Sequence, residues 1–281
     1  MNWLFFALLS VLAGSVSNLY QKIAMREEKT DAVASAVTFQ ILTGVAYFIY
    51  ALIRGFHIPD ISLAPYFLFS MILYATGTVF FFRAIKLIEA SEMTIINGVG
   101  SLVTILASFI FLHESLSLPQ LLGALLILFA VIVINFSKKG IVINKGMWLA
   151  VAGTCSYGLA VISDTHIIRS FEAASFIPIG AFGTALVMMI WYYKKIPLVI
   201  KTVKTAEKNL VIFCALYAVS AITFYHSLQL GALVGQVSTI FRASIIVTVL
   251  LSSIFLNERK HLGKKILGAI LTTVGVILVS L

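Results

Sequence analysis

The chain has 281 residues, 60% of them hydrophobic and only 11% charged. A water-soluble domain carries roughly a quarter of its residues as charge, so this composition excludes a soluble globule and requires a bilayer. The formal charge of +9 sits in loops beside apolar runs, where lysines meet anionic lipid headgroups, and implies no nucleic-acid partner.

Ten apolar runs follow one another, each near the ~20 residues that cross about 30 Å of hydrocarbon as a helix. The first, 3–21, lacks a basic leader and a small-residue cleavage site, so it is expected to stay as a helix, closing on Gln21 and Lys22. The second, 32–53, carries Gln40, and the third, 64–84, carries Tyr74 and ends near Phe82-Arg83-Ala84-Ile85. The fourth, 92–112, holds Asn97 between apolar neighbours, followed by Gly98 and Gly100. Paired glycines loosen a helix midway, and helix breaks at mid-membrane often mark binding sites. The fifth, 118–136, opens on Leu122-Gly123-Ala124-Leu125.

A polar break from Ser137 to Gly146 then divides five runs from five. The sixth run, 146–165, contains Asp164, and the seventh spans 173–193. The eighth, 208–228, ends with Tyr225 and His226; the ninth, 233–256, contains Gln236 and Arg242; and the tenth is 262–280. Cys155 and Cys214 fall inside runs with no second cysteine nearby, as small apolar packing residues do.

Connections after the odd-numbered runs share one face, and that face takes 17 of the 20 lysines and arginines. Arg54 and Arg169 fall on the other face. Such asymmetry makes the odd loops cytoplasmic and puts both termini outside the cytoplasmic membrane.

The halves repeat each other. Phe111-Leu112-His113-Glu114 before Leu122-Gly123-Ala124-Leu125 is matched by Phe255-Leu256-Asn257-Glu258 before Leu267-Gly268-Ala269-Ile270, half a chain later. Phe82-Arg83-Ala84-Ile85-Lys86-Leu87 is paralleled by Tyr225-His226-Ser227-Leu228-Gln229-Leu230, and Leu12-Ala13-Gly14-Ser15 by Val151-Ala152-Gly153-Thr154. Five helices per copy force the second to sit upside down relative to the first. The charges agree, because the loop after Glu114 has no lysine or arginine, whereas its counterpart after Glu258 has Arg259, Lys260, Lys264 and Lys265. The fold expected is an all-α integral membrane protein of ten transmembrane helices, in two inverted five-helix repeats over 1–137 and 146–281, joined by a cytoplasmic linker at 138–145.

An aromatic box ending the third helix, a glutamate after the fourth and Leu-Gly-Ala opening the fifth, all present twice, resemble the EamA repeat of the drug/metabolite transporter superfamily. The resemblance covers essentially the whole chain. It implies a carrier of small metabolites that hydrolyses no ATP, with the third, fourth, eighth and ninth helices bordering its cavity; separately, no cofactor is expected. Two features depart from the family: the proline common midway along the fourth helix is replaced by Gly98-Val99-Gly100, and many members keep their termini in the cytoplasm.

Arg242 is the sharpest single residue, because a charge at mid-membrane costs at least ~2.5 kcal/mol and so faces a cavity or a partner. It can hold a carboxylate or phosphate with its guanidinium fork, or pair with Asp164. Asp164 can bind a proton or a cationic group, or form an ion pair with Arg242 or Lys22. Asn97, Tyr74 and Gln236 are candidate lining residues, the other polar positions bridging helices. Glu114 and Glu258 are expected to cap the helices that follow them. Gly123, Gly268 and Gly275 are expected to let helices approach closely.

The chain has no GxxxxGK[ST] loop, no HExxH or CxxC spacing and no Gly-x-Ser-x-Gly elbow, so neither ATP hydrolysis, nor a metal centre, nor a serine nucleophile can be argued. The leading function is secondary transport of a small polar metabolite, an amino acid or organic anion, by alternating access, with export favoured. Alternatives are flipping of a lipid-linked sugar and a non-transporting membrane subunit; an integral-membrane enzyme fits less well, because the acids and histidines are scattered. A homodimer is left open.

Overall fold

A computed structural model describes residues 3–26, 30–112, 117–137, 140–141, 144–205, 207–232 and 234–279. In chain order the helices are α1 (Trp3–Met25), α2 (Ala32–Arg54), α3 (Ala64–Leu87), α4 (Ala90–Ile96), α5 (Val99–Leu112), α6 (Leu118–Asn135), α7 (Lys145–Ser170), α8 (Ala173–Trp191), α9 (Ile196–Thr205), α10 (Lys208–Gln229), α11 (Val234–Phe255) and α12 (Leu262–Val279). Phe136 pairs with Ile141 and Ser137 with Gly140 in a minimal antiparallel bridge at the chain's midpoint. The protein is an all-helical, multi-pass membrane protein: seven helices among the described residues are long and apolar enough to cross a bilayer, and shorter apolar stretches occupy 118–134 and 240–255.

Two elements differ from the sequence expectation. The fourth run is not one helix, because α4 stops at Ile96 and α5 starts at Val99. Glycine is the cause in two senses: it lowers helix propensity, and a Cβ on Gly98 would lie 2.3 Å from Thr272 Cγ2 of α12. The lysine-rich stretch after the seventh run, expected to be a loop, forms α9, whose sequence IPLVIKTVKT is amphipathic and buries Val199. A helix this short and two-faced suits the membrane–water boundary rather than a crossing.

The ends of the helices are held by specific caps. Asp31 accepts the amides of Val33 and Ala34, each at 2.9 Å, at the start of α2, and pairs with Lys195 at 2.5 Å. Asn144 accepts Met147 N–H at 2.9 Å to open α7. Glu258, expected to cap the helix after it, instead receives Ala90 N–H at 2.9 Å and Ser91 N–H at 3.0 Å, so it caps α4 in the other half. The reason is spatial: α11 packs on α4, and its end delivers Glu258 to the unpaired amides there. Glu114 lies outside the described residues.

Pairs of helices from opposite halves bind through small residues. Ser10 and Ser220 each donate a hydroxyl to the other's backbone carbonyl, at 2.7 and 2.8 Å, joining α1 to α10. A Cβ on Gly14 of α1 would stand 2.8 Å from Ser220 Oγ, and one on Gly153 of α7 would stand 3.1 Å from the Gly77 carbonyl of α3. Gly14 and Gly153, matched by sequence, therefore do the same work in the α1–α10 and α3–α7 pairs. In the α6–α12 pair, a Cβ on Gly123 would meet the Gly275 carbonyl at 2.4 Å and one on Gly268 would meet Ile134 Cγ2 at 2.7 Å. The contacts run in opposite order along the two helices, so α6 and α12 are antiparallel. The expected close approach at these three glycines is what the packing shows.

Candidate functional site

Between these pairs lies a cavity of about 350 Å³, walled by α1, α2, α3, α7, α8 and α10 and by the α4–α5 break. Its lining repeats every fourth residue along α10, at Phe213, Tyr217, Ala221 and Tyr225, because residues four apart share a helix face. Phe39 of α2 stacks on Phe213 at 4.9 Å between ring centroids and meets Tyr217 edge-on at 4.9 Å. Across the cavity wall, Tyr157 of α7 packs against Phe81 at 4.8 Å and Tyr74 at 5.4 Å.

Polar groups punctuate this aromatic wall. Gln40 donates to Thr78 Oγ1 at 3.1 Å, and Thr78 Oγ1 lies 2.9 Å from the Tyr157 hydroxyl. Asp164 receives the Ser70 hydroxyl at 2.5 Å on one carboxylate oxygen and the Tyr74 hydroxyl at 2.5 Å on the other. The residue is only 8% exposed, yet among the described residues no cation pairs with it.

A second lobe of about 280 Å³ adjoins the first, sharing Tyr217, Ala221 and Tyr225, and Arg242 of α11 forms part of its wall beside Phe224 and Phe241. Arg242 Nε is buried and has no hydrogen-bond partner among the described residues. No described carboxylate pairs with the guanidinium. Toward the face that bears most of the lysines, a smaller pocket of about 30 Å³ lies between Asn18, Gln21, Ile85, Met93 and their neighbours. Beyond this small pocket a polar network joins the helix ends. Lys22 Nζ donates to the Ile85 and Ile88 carbonyls at 2.6 and 2.5 Å, and Arg26 donates to the Leu256 carbonyl at 3.0 Å. Lys265 pairs with Glu89 and donates to the Glu258 carbonyl at 3.2 Å.

The structure thus distributes the sequence candidates unequally. Tyr74 and Asp164 meet in the main wall, Asn97 faces the cavity from the helix break, and Arg242 occupies the adjoining lobe. The expected ion pairs of Asp164 with Arg242 or Lys22 do not form; Asp164 is held by hydroxyls on α3, and Lys22 binds the carbonyls that end α3. Lys22 therefore belongs to the network at the helix ends rather than to the cavity wall. The Gln236 side chain lies outside the described residues. Sequence reasoning passed over Ser70, Tyr157 and Tyr217, although the four-residue spacing of aromatics along α10 carried a signal.

Compared with known proteins, the chain matches the model of the EamA-like transporter family over residues 1–136 and again over 144–281. It is 30% identical to an uncharacterized protein of Methanocaldococcus jannaschii over 81 residues, 29% of this chain, and spans 59% of that relative's length. A solved crystal structure of a protein aligns with 97% of this chain and 98% of its own at a TM-score of 0.62 and 16% identity, a likeness of fold.

Proposed function

Because the chain belongs to the EamA-like transporter family, a family of membrane transporters, we propose that it is a secondary carrier of a small polar metabolite, an amino acid or organic anion, exported by alternating access. In this reading ten helices cross the cytoplasmic membrane as two inverted five-helix halves, 1–137 and 146–281, joined by a cytoplasmic linker at 138–145. Antiparallel α6 and α12, which hold equivalent places in the two halves, support the inversion. The charge asymmetry supports termini outside; export rests on the family resemblance.

The observation that carries the substrate class is Arg242. A guanidinium in a membrane-spanning helix is retained where it meets a partner, and here its Nε is buried, without a hydrogen-bond partner among the described residues, and beside a cavity lobe. An anionic group of the substrate supplies the missing acceptor, through the two parallel hydrogen bonds that a guanidinium fork favours. Asn97, Tyr74 and Gln236 complete the proposed lining. The small pocket at Asn18 and Gln21, with the network from Lys22 to Lys265 behind it, acts as the cytoplasmic closure.

Transport of labelled amino acids and organic acids into vesicles containing the purified protein tests the proposal. Arg242→Ala should reduce the rate about tenfold or more, with partial rescue by Arg242→Lys, which keeps the charge without the fork. Rates unchanged in both variants would remove Arg242 from the site.

A further inference from the structure

The other lobe of the same cavity has the opposite electrostatic need. We propose that Asp164 and the aromatic wall around it form a site for a protonated amine, so that the transported molecule carries an ammonium group as well as its acidic one. The inference rests on the transporter reading above and narrows it from anions in general to zwitterions with an apolar body.

Three observations carry it. First, each carboxylate oxygen of Asp164 receives one hydroxyl, from Ser70 and from Tyr74. An ionised carboxylate accepts about four hydrogen bonds, so two acceptor positions stay open toward the cavity. An ionised carboxylate held by these two hydroxyls in a low-dielectric setting requires a counter-charge. Second, the described residues that line this lobe include no lysine, arginine or histidine, so none of them supplies that counter-charge. Third, the wall is built from tyrosine and phenylalanine, among them Tyr74 and Tyr157 with centroids 5.4 Å apart. Ring faces attract an alkylammonium within about 6 Å, and they stack on the apolar remainder of the ligand.

Tyr217, Ala221 and Tyr225 line both lobes, so the lobe that holds the carboxylate and the lobe that holds the guanidinium adjoin each other. A molecule bearing a single charge satisfies one of them and leaves the other exposed to unrelieved burial. A zwitterion satisfies both, its amine against Asp164 and its acid against Arg242.

Three matched probes separate the contributions: phenethylamine has the amine alone, 3-phenylpropionate the acid alone, and L-phenylalanine both. Calorimetric titration of each into the detergent-purified full chain should show phenethylamine bound by the native protein. Asp164→Asn should lower the affinity for phenethylamine relative to 3-phenylpropionate by about tenfold or more, equivalent to ~1.4 kcal/mol. Arg242→Ala should move that ratio the opposite way. Asp164→Ser, which removes the charge and keeps a hydroxyl beside Ser70 and Tyr74, should shift the ratio in the same direction as Asp164→Asn, and it serves if the asparagine variant does not fold.

Native protein that ignores phenethylamine, or a ratio that neither substitution moves, overturns the amine site. Loss of 3-phenylpropionate binding in Arg242→Ala would then still uphold the anion-carrier reading by itself. Equally fatal to the amine site is an Asp164→Asn variant that loses only the pH dependence of transport while binding phenethylamine as the native protein does, since Asp164 would then carry a proton.

Discussion

Glu258 holds Ser91 twice across the boundary between the two halves of the chain, accepting its backbone amide at 3.0 Å and its hydroxyl at 2.8 Å. Together with the bond from Ala90, this satisfies amides that open α4, and it does so at a residue only 5% exposed. A helix that starts inside a membrane protein has no water for its first amides. The cap also ties the short helix before the Asn97 break to the loop after α11.

Glu258→Ala leaves these amides without their acceptor and should lower stability by about 1–2 kcal/mol, the scale of a lost helix cap. Thermal unfolding in detergent should show a reduced Tm, with Glu258→Gln in between because its amide oxygen still accepts. An unaltered Tm in the alanine variant would mean that the cap contributes nothing.

The α6–α12 interface predicts a strong position dependence for a single methyl group. Gly123→Ala drives a Cβ to 2.4 Å from the Gly275 carbonyl, an obstacle made of backbone, and should cost about 1–3 kcal/mol. Gly263→Ala, where a Cβ would meet nothing within 4 Å, is the control and should unfold like the native protein. Equal melting of the two variants would contradict the packing of these helices.

The Asp31–Lys195 pair, outside the membrane-spanning segments, predicts a pH dependence. Burial raises the Asp31 carboxyl, but the Lys195 ammonium and the amides of Ala34 and Val33 outweigh it and hold the group below its ordinary range. Its stabilising contribution is therefore complete above the unfolded value of about 3.9 and is lost as pH falls through the lower folded value. The Tm difference between native protein and Asp31→Asn should stay level from neutral pH down to about pH 5 and shrink below about pH 4. A difference that grows in acid would reverse the assignment.

The proposed orientation is open to a direct check. A reporter that is active only in the cytoplasm, fused after Leu281, should be silent, and a cysteine replacing Lys201 in α9 should be labelled only from the cytoplasmic side. Activity of the fused reporter would turn the whole assignment over.

Much of the architecture is legible in the sequence, because hydrophobic run length is a one-dimensional property and lipid tolerates few alternatives to helices. Asp164 and Arg242 stood out for the same reason: charge within an apolar run is visible residue by residue. Their relationship was not. Sequence distance gave no means to choose between an ion pair joining them and two separate lobes, since that choice depends on which face of α7 meets Ser70 and Tyr74 on α3. The amphipathic α9 was likewise hidden by its lysines, which read as a loop until the helix was seen against α2.

Composition and periodicity alone determined that this chain lives in lipid, that it is helical and that its halves repeat. The tertiary structure decided which polar groups keep a partner within the protein and which are left facing the cavity. The reason is physical: apolar burial is a sum over residues that the sequence already contains, whereas a hydrogen bond or an ion pair exists only where two distant helices bring their groups within about 3 Å of each other.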